Sequence, residues 1–155
     1  MDVYRILKEP HWHDPLTVVG AEKAPGRWNP REQGILYTGS SPALALLEIM
    51  AHLPEVAYEA LPALRLFTLR LPENALRWVN PQALPPGWDR PQALAATQTF
   101  FAEWLEKPTE LGLAVPSAVL PISYNYLLHP NHVQFGDVQV IGQVNLRLER
   151  RLWKR

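Results

Sequence analysis

"GILYTGSSPALALLEIMAHL", residues 34–53, contains a strand, a turn and a helix, and its one misplaced charge sets the problem of the chain. Residues 34–39 read as a short strand between two glycines. Ser41 fits an N-cap and Pro42 the first helical position, where a missing N–H breaks no helical bond. Pro54 cannot continue the helix, which is therefore predicted over 42–53. At about 100° per residue, Glu48 falls within the arc of Leu44, Leu47 and Ala51, while Leu46, Ile49 and Met50 cover the other side. No polar face remains for the carboxylate. Burying it without partners costs several kcal/mol. Two readings stay open: a glutamate bonded to backbone or to one buried arginine for architecture, or an anion kept for chemistry in a cavity walled by the helix. His52, one turn on, reaches the same cavity.

Outward from this stretch the chain is mixed. "DVYRIL" (2–7), "LRLFTLRL" (64–71) and "VQVIGQVNLRL" (138–148) alternate as strands do, and "LGLAVPSAVLP" (111–121) is a strand interrupted by Pro116. "ALRWV" (75–79) is a further candidate strand. Residues 91–107 read as one helix with Leu94, Thr97, Phe101, Trp104 and Leu105 near one face. Residues 8–33 are loop-rich, and 123–138 read as a short turn or helix followed by loop. About five or six strands and two principal helices, without regular alternation, fit an α+β fold in one domain, 1–155.

Composition narrows the function classes. Hydrophobic residues make up 47% and charged ones 19%, which describes a globule and not a disordered chain. Lys+Arg and Asp+Glu number 15 each, so no global field draws nucleic acid or an acidic membrane. The tail still concentrates Arg147, Arg150, Arg151, Lys154 and Arg155, either as a solvated end or as a local binding surface. The absence of cysteine removes thiol chemistry and suits a reducing cytoplasm. No signal peptide or membrane span is visible. The sixteen prolines, about twice the usual share, imply short elements and shaped loops.

Among the motifs, "APGRWNP" (24–30) holds Arg27 on a stiff loop, where its planar fork can clamp a carboxylate or phosphate; read alone, it is an ordinary surface arginine. "GILYTGSS" has the glycine spacing of a phosphate loop but Ser40 where the lysine belongs, which excludes a nucleotide-triphosphate loop. Ser117 follows a proline in an apolar strand and needs a partner, backbone or Glu48; no serine-hydrolase elbow surrounds it. "HWH" (11–13) and "HPNH" (129–132) have no strong zinc spacing and read as loop histidines, so no metal is expected.

Taken together, "APGRWNP", "GILYTGSSPALALLEIMAHL" and "LGLAVPSAVLPISYNYLLHPNH" (111–132) resemble the RES-domain family, the toxins of bacterial toxin–antitoxin pairs. The similarity runs from "VYRIL" to "FGDV". It implies an ADP-ribosyltransferase-like fold, with NAD in a cleft between two small twisted sheets flanked by helices. It also implies NAD as a substrate, consumed by a glycohydrolase or by a phosphorylase with inorganic phosphate as co-substrate; one branch resembles protein ADP-ribosyltransferases. Carried over by motif, the family's arginine is Arg27, its tyrosine Tyr37, its glutamate Glu48, its serine Ser117 and its downstream asparagine Asn125. Glu48, Arg27 and Ser117 are then the expected catalytic group, and Tyr37, His52 and Asn125 join them around NAD. Some relatives have an arginine where this chain has His52. The implied partner is an Xre-like helix-turn-helix antitoxin covering the cleft, with DNA met only through it, around a homodimer core in the cytoplasm. A nucleotide-binding module without chemistry is the contrasting expectation.

Overall fold

The computed structural model describes residues 1–153; Lys154 and Arg155 of the basic tail lie outside the described residues. The strands are β1 (Asp2–Lys8), β2 (Leu36–Gly39), β3 (Leu64–Arg70), β4 (Leu76–Trp78), β5 (Gly112–Pro116), β6 (Tyr124–Leu128) and β7 (Gln139–Leu146). The helices are α1 (Val19–Lys23), α2 (Pro42–His52), α3 (Leu94–Phe100) and α4 (Ala102–Glu106). The fold is α+β, as the irregular alternation of elements suggested. The seven strands form one sheet in the order β4-β5-β6-β2-β1-β3-β7, antiparallel except for the β4–β5 pair.

The expected two small sheets take the form of two halves of one ladder. β1 and β3 pair over seven positions and β2 and β6 over four, but β1 meets β2 at a single pair, Tyr4 with Gly39. Beyond that rung β1 and β2 separate. Helix α2 bridges the divergence, with its Ala45 and the Leu53 that follows it packed among Ile6, Leu64 and Leu66. Gly39 permits the approach: a Cβ there would stand 3.2 Å from the Ala45 nitrogen. On the β4–β6 half, α4 and the Phe101 that precedes it cover Leu113, Val115 and Leu127, with Trp104 and Leu105 pointing in from the helix. The opposite face buries Ala114, Tyr126 and Leu128 with Val3, Phe67 and Leu69, as period-two alternation requires.

Three sequence expectations are corrected. Residues 124–128, expected as turn or helix and loop, form β6, which lies inside the sheet between β5 and β2. Its run "YNYLL" is buried on both faces toward its end, so it lacks the alternation by which half-buried strands are recognised. The helix expected over 91–107 breaks at Phe101, whose φ of −103° and ψ of 16° start α4 afresh. The break lets Thr97 face the loop at Arg27 while Trp104 and Leu105 enter the core. On α2, Leu47 and Ala51 are exposed and the buried side runs through Leu44 and Ala45, so Glu48 lies on the covered side for a different reason than the wheel gave.

The histidines also divide. His129, expected in a loop, is buried: Nε2 donates to the Leu105 carbonyl at 2.9 Å, Nδ1 accepts from the Asn131 N–H at 3.2 Å, and Trp104 meets the ring edge-on. Burial lowers its pKa below the ordinary 6.5, the Leu105 bond opposing and His132 assisting. The unfolded chain therefore takes up the proton first as pH falls. The stability that neutral His129 contributes is complete above about 6.5 and is lost progressively below it. Melting temperatures measured between pH 8 and 5 should fall on the acid side, and H129Q should flatten that fall; an unchanged slope would show that His129 does not cause it.

In the basic tail, Arg150 pairs with Glu59 at 2.7 Å and Arg151 with Glu149 at 3.1 Å, so acidic neighbours offset part of its charge. Among the described residues, no helix is long and apolar enough to cross a membrane, and no three His, Asp or Glu side chains converge as metal ligands.

Candidate active site

Where β1 and β2 part, a cavity of about 520 Å³ opens. Both faces of β1 line it, Tyr4 and Ile6 from one and Arg5 and Leu7 from the other, which follows from the missing rungs. Tyr37 and Thr38 of β2 and Glu48, Ile49 and His52 of α2 complete the inner wall. Its volume lies within the range of small-molecule and cofactor clefts.

Helix α2 begins as the sequence requires, with Ser41 Oγ accepting from the Leu44 N–H at 3.1 Å and Pro42 in the first turn. That start orients Glu48 toward the cavity, where it is half-buried and not sealed from water as the apolar helix suggested. Ser117 Oγ donates to Glu48 Oε1 at 2.7 Å, and Asn125 Nδ2 donates to the same oxygen. Both donors converge on Oε1, so Oε2 has no protein partner among the described residues. Ser117 is fully buried behind the carboxylate. Its hydroxyl also accepts from the Val119 and Leu120 N–H groups, at 3.1 and 3.0 Å, which fixes its direction. It does not line the cavity itself. Asn125 does, from β6 opposite Gly39.

Arg27 lines the cavity from the other side. One Nη1 donates to the carbonyls of Trp88 and Arg90, at 2.6 and 3.0 Å, and no carboxylate pairs with the guanidinium among the described residues. Its loop is held from three directions. Thr97 Oγ1 donates to the Arg27 carbonyl at 2.6 Å and Gln98 Nε2 to the Gly26 carbonyl at 2.7 Å. Asn29, with no exposed surface, donates to the carbonyls of Ala21, Pro30 and Gln33 and accepts from the Gly26 N–H and the Tyr37 hydroxyl. Gly26 must be glycine because a Cβ there would come within 2.5 Å of the Tyr37 oxygen.

Tyr37 therefore presents a ring to the cavity, while its hydroxyl belongs to the loop. Burial raises its pKa well above the usual phenol range, only partly offset by the Trp28 N–H and the Arg27 charge, so it stays a donor to Asn29 Oδ1 at 2.7 Å.

The sequence reading missed two groups here. Arg5 shares a face of β1 with Val3 and Leu7, donates to the Pro15 carbonyl at 2.8 Å and makes no salt bridge among the described residues. Burial pushes its pKa down to about 10, with the Asp14 charge opposing, and it remains a cation at neutral pH. A charge in an apolar row was the same signal that exposed Glu48, and it was available in "VYRIL". The other is Asn29, whose hub role no local pattern reveals.

One carboxylate and two guanidiniums without a salt-bridge partner among the described residues thus line one cleft, on a sheet split at its middle. The chain belongs to the RES-domain family, whose model matches residues 2–150. It is 35% identical over 135 residues to "Toxin Res" of Yersinia enterocolitica, covering 87% of this chain and 88% of that one. Over 123 residues it is 35% identical to "Prs ADP-ribosylating toxin" of a Sphingobium species, covering 77% and 74%. Its fold is similar to a chain of the M. tuberculosis MbcT–MbcA toxin–antitoxin complex, with a TM-score of 0.72, 21% identity and coverage of 94% and 83%. The fold is ADP-ribosyltransferase-like.

Proposed function

We propose that this chain is the toxin of a toxin–antitoxin pair and that it breaks the bond between nicotinamide and ribose in NAD. One observation carries the reading: Glu48 is fixed through Oε1 by Ser117 and Asn125, with Oε2 left to the cavity that Arg5 and Arg27 share. Bond cleavage leaves the ribose with oxocarbenium character. Nicotinamide departs neutral from a cationic ring and needs no acid. A fixed anion beside the sugar, pre-aimed by two hydrogen bonds, stabilises the charge that develops. The guanidiniums suit the pyrophosphate, Arg27 through the nitrogens other than the Nη1 that donates to the Trp88 and Arg90 carbonyls. Tyr37 offers its ring face to the nicotinamide ribose end. Ser117 acts through Glu48 and is a positioning residue.

Incubating the protein with NAD, with and without inorganic phosphate, tests this directly. Release of nicotinamide is expected, with ADP-ribose or its phosphate as the other product; intact NAD would overturn the reading. Arg27→Ala should raise KM about 10- to 100-fold, the worth of one or two charge-assisted bonds, with kcat within a few-fold. An unchanged KM would remove Arg27 from the substrate clamp.

A protein acceptor is the second reading, favoured by the name of the Sphingobium relative. Mass spectrometry of cell proteins for added ADP-ribose distinguishes it. For the proposed antitoxin, a helix-turn-helix protein through which DNA would be met, Leu94 and Val119 offer apolar contacts, since both line the cavity and each is 42% exposed. A homodimer within that assembly completes the proposal.

A further inference from the structure

His52 lies one turn beyond Glu48 and lines the same cavity. Its Nδ1 stands 2.7 Å from the Glu48 backbone carbonyl oxygen. A carbonyl only accepts, so this nitrogen carries the ring proton, and in the neutral ring Nε2 holds a lone pair. No protein donor occupies Nε2 among the described residues. The helix itself thus selects the tautomer, and it leaves a base, not a donor, on the ring's far edge.

Resting on the NAD-cleavage reading above, we propose that His52 is the general base for a hydroxyl acceptor, which in the absence of an alcohol is water. The C1′–nitrogen bond breaks with its electron pair on nicotinamide. The acceptor oxygen supplies the pair for the new C1′–O bond, and its proton passes to His52 Nε2, from which it returns to solvent.

Two arguments select His52 over its neighbours and water over phosphate. The charged or titratable groups lining the cavity beside it are Tyr4, Arg5, Arg27, Tyr37 and Glu48. The guanidiniums and the Tyr4 phenol are poor bases, and the Tyr37 hydroxyl is engaged by the loop. Glu48 is held by two donors on Oε1 and is assigned to the forming cation through Oε2, so it serves as a charge and not as a proton acceptor. Phosphate already carries charge and gains little from a base, and the guanidiniums that would attract it, Arg5 and Arg27, are those this reading gives to the pyrophosphate. Water must lose a proton to become a stable product, and this is the step that an imidazole assists.

The test compares the wild type, H52Q and H52A by nicotinamide release and by product identity in water, in dilute methanol and with inorganic phosphate. Glutamine can still donate to the Glu48 carbonyl but holds no base, and the exposed site should tolerate both changes, which a melting curve checks. The wild type should give ADP-ribose in water and its methyl glycoside with methanol, and phosphate should contribute little. H52Q should lose on the order of 10²-fold in kcat with KM within a few-fold, and added imidazole should restore H52A. Wild-type turnover by H52Q, failure of imidazole to restore H52A, or phosphorolysis outrunning hydrolysis would each overturn the assignment of His52 while NAD cleavage stands. Intact NAD with the wild type would overturn the cleavage reading itself.

Discussion

Replacing Glu48 with glutamine should abolish NAD cleavage and leave the melting temperature within about 2 °C of the wild type. The two halves of this expectation come from the same geometry. Ser117 and Asn125 both donate to Oε1, so a glutamine amide oxygen in that place keeps both bonds. Its NH₂ then takes the place of Oε2 and turns a positive dipole toward the sugar. At a separation of about 4 Å and an effective dielectric near 20, the lost attraction is about 4 kcal/mol, or roughly 10³-fold in rate. Nicotinamide release by the variant at more than a tenth of the wild-type rate would show that Glu48 does not act as a charge. A collapsed melting curve would show instead that the carboxylate is architectural.

The second large effect is on stability. Asn29→Asp should lower the melting temperature by roughly 8–16 °C at neutral pH, corresponding to about 4 kcal/mol. The Asn29 amide donates to three carbonyl oxygens in a site with no solvent exposure. An aspartate would turn an anionic oxygen toward those same three acceptors and lose every bond at once. The other oxygen could still accept from Gly26 and Tyr37, so the damage is specific to the donor side. A variant melting within 2 °C of the wild type would mean that the loop around Arg27 is held by Thr97 and Gln98 alone.

How much of this was legible in the residues depends on the distance over which each contact acts. The start of α2 is a local matter of Ser41 and Pro42, and the expected boundaries agree with the structure to one residue. Glu48 was visible because a helix repeats regularly, although the side that is buried includes Ala45 and excludes Leu47. The strand β6 was not legible: on one side it pairs with the preceding β5 but on the other with β2 from far back in the chain, and only the assembled sheet requires it to be extended. The same holds for the site's depth. Glu48, Ser117 and Asn125 are separated by as many as 77 positions, and their meeting depends on β2, β5 and β6 lying side by side. The family resemblance brought those residues together before the structure did; composition and periodicity did not.

The single rung between Tyr4 and Gly39 bears on how the cleft keeps its aperture. A fully laddered sheet fixes the spacing of its strands through the backbone, whatever the side chains are. Here the gap between β1 and β2 is gauged instead by the thickness of what spans it, chiefly Ala45 against Gly39. The clearance is that of one hydrogen in place of a methyl group. Bulk added at this contact would act as a wedge, resetting the opening for the charged side chains around it without replacing one of them.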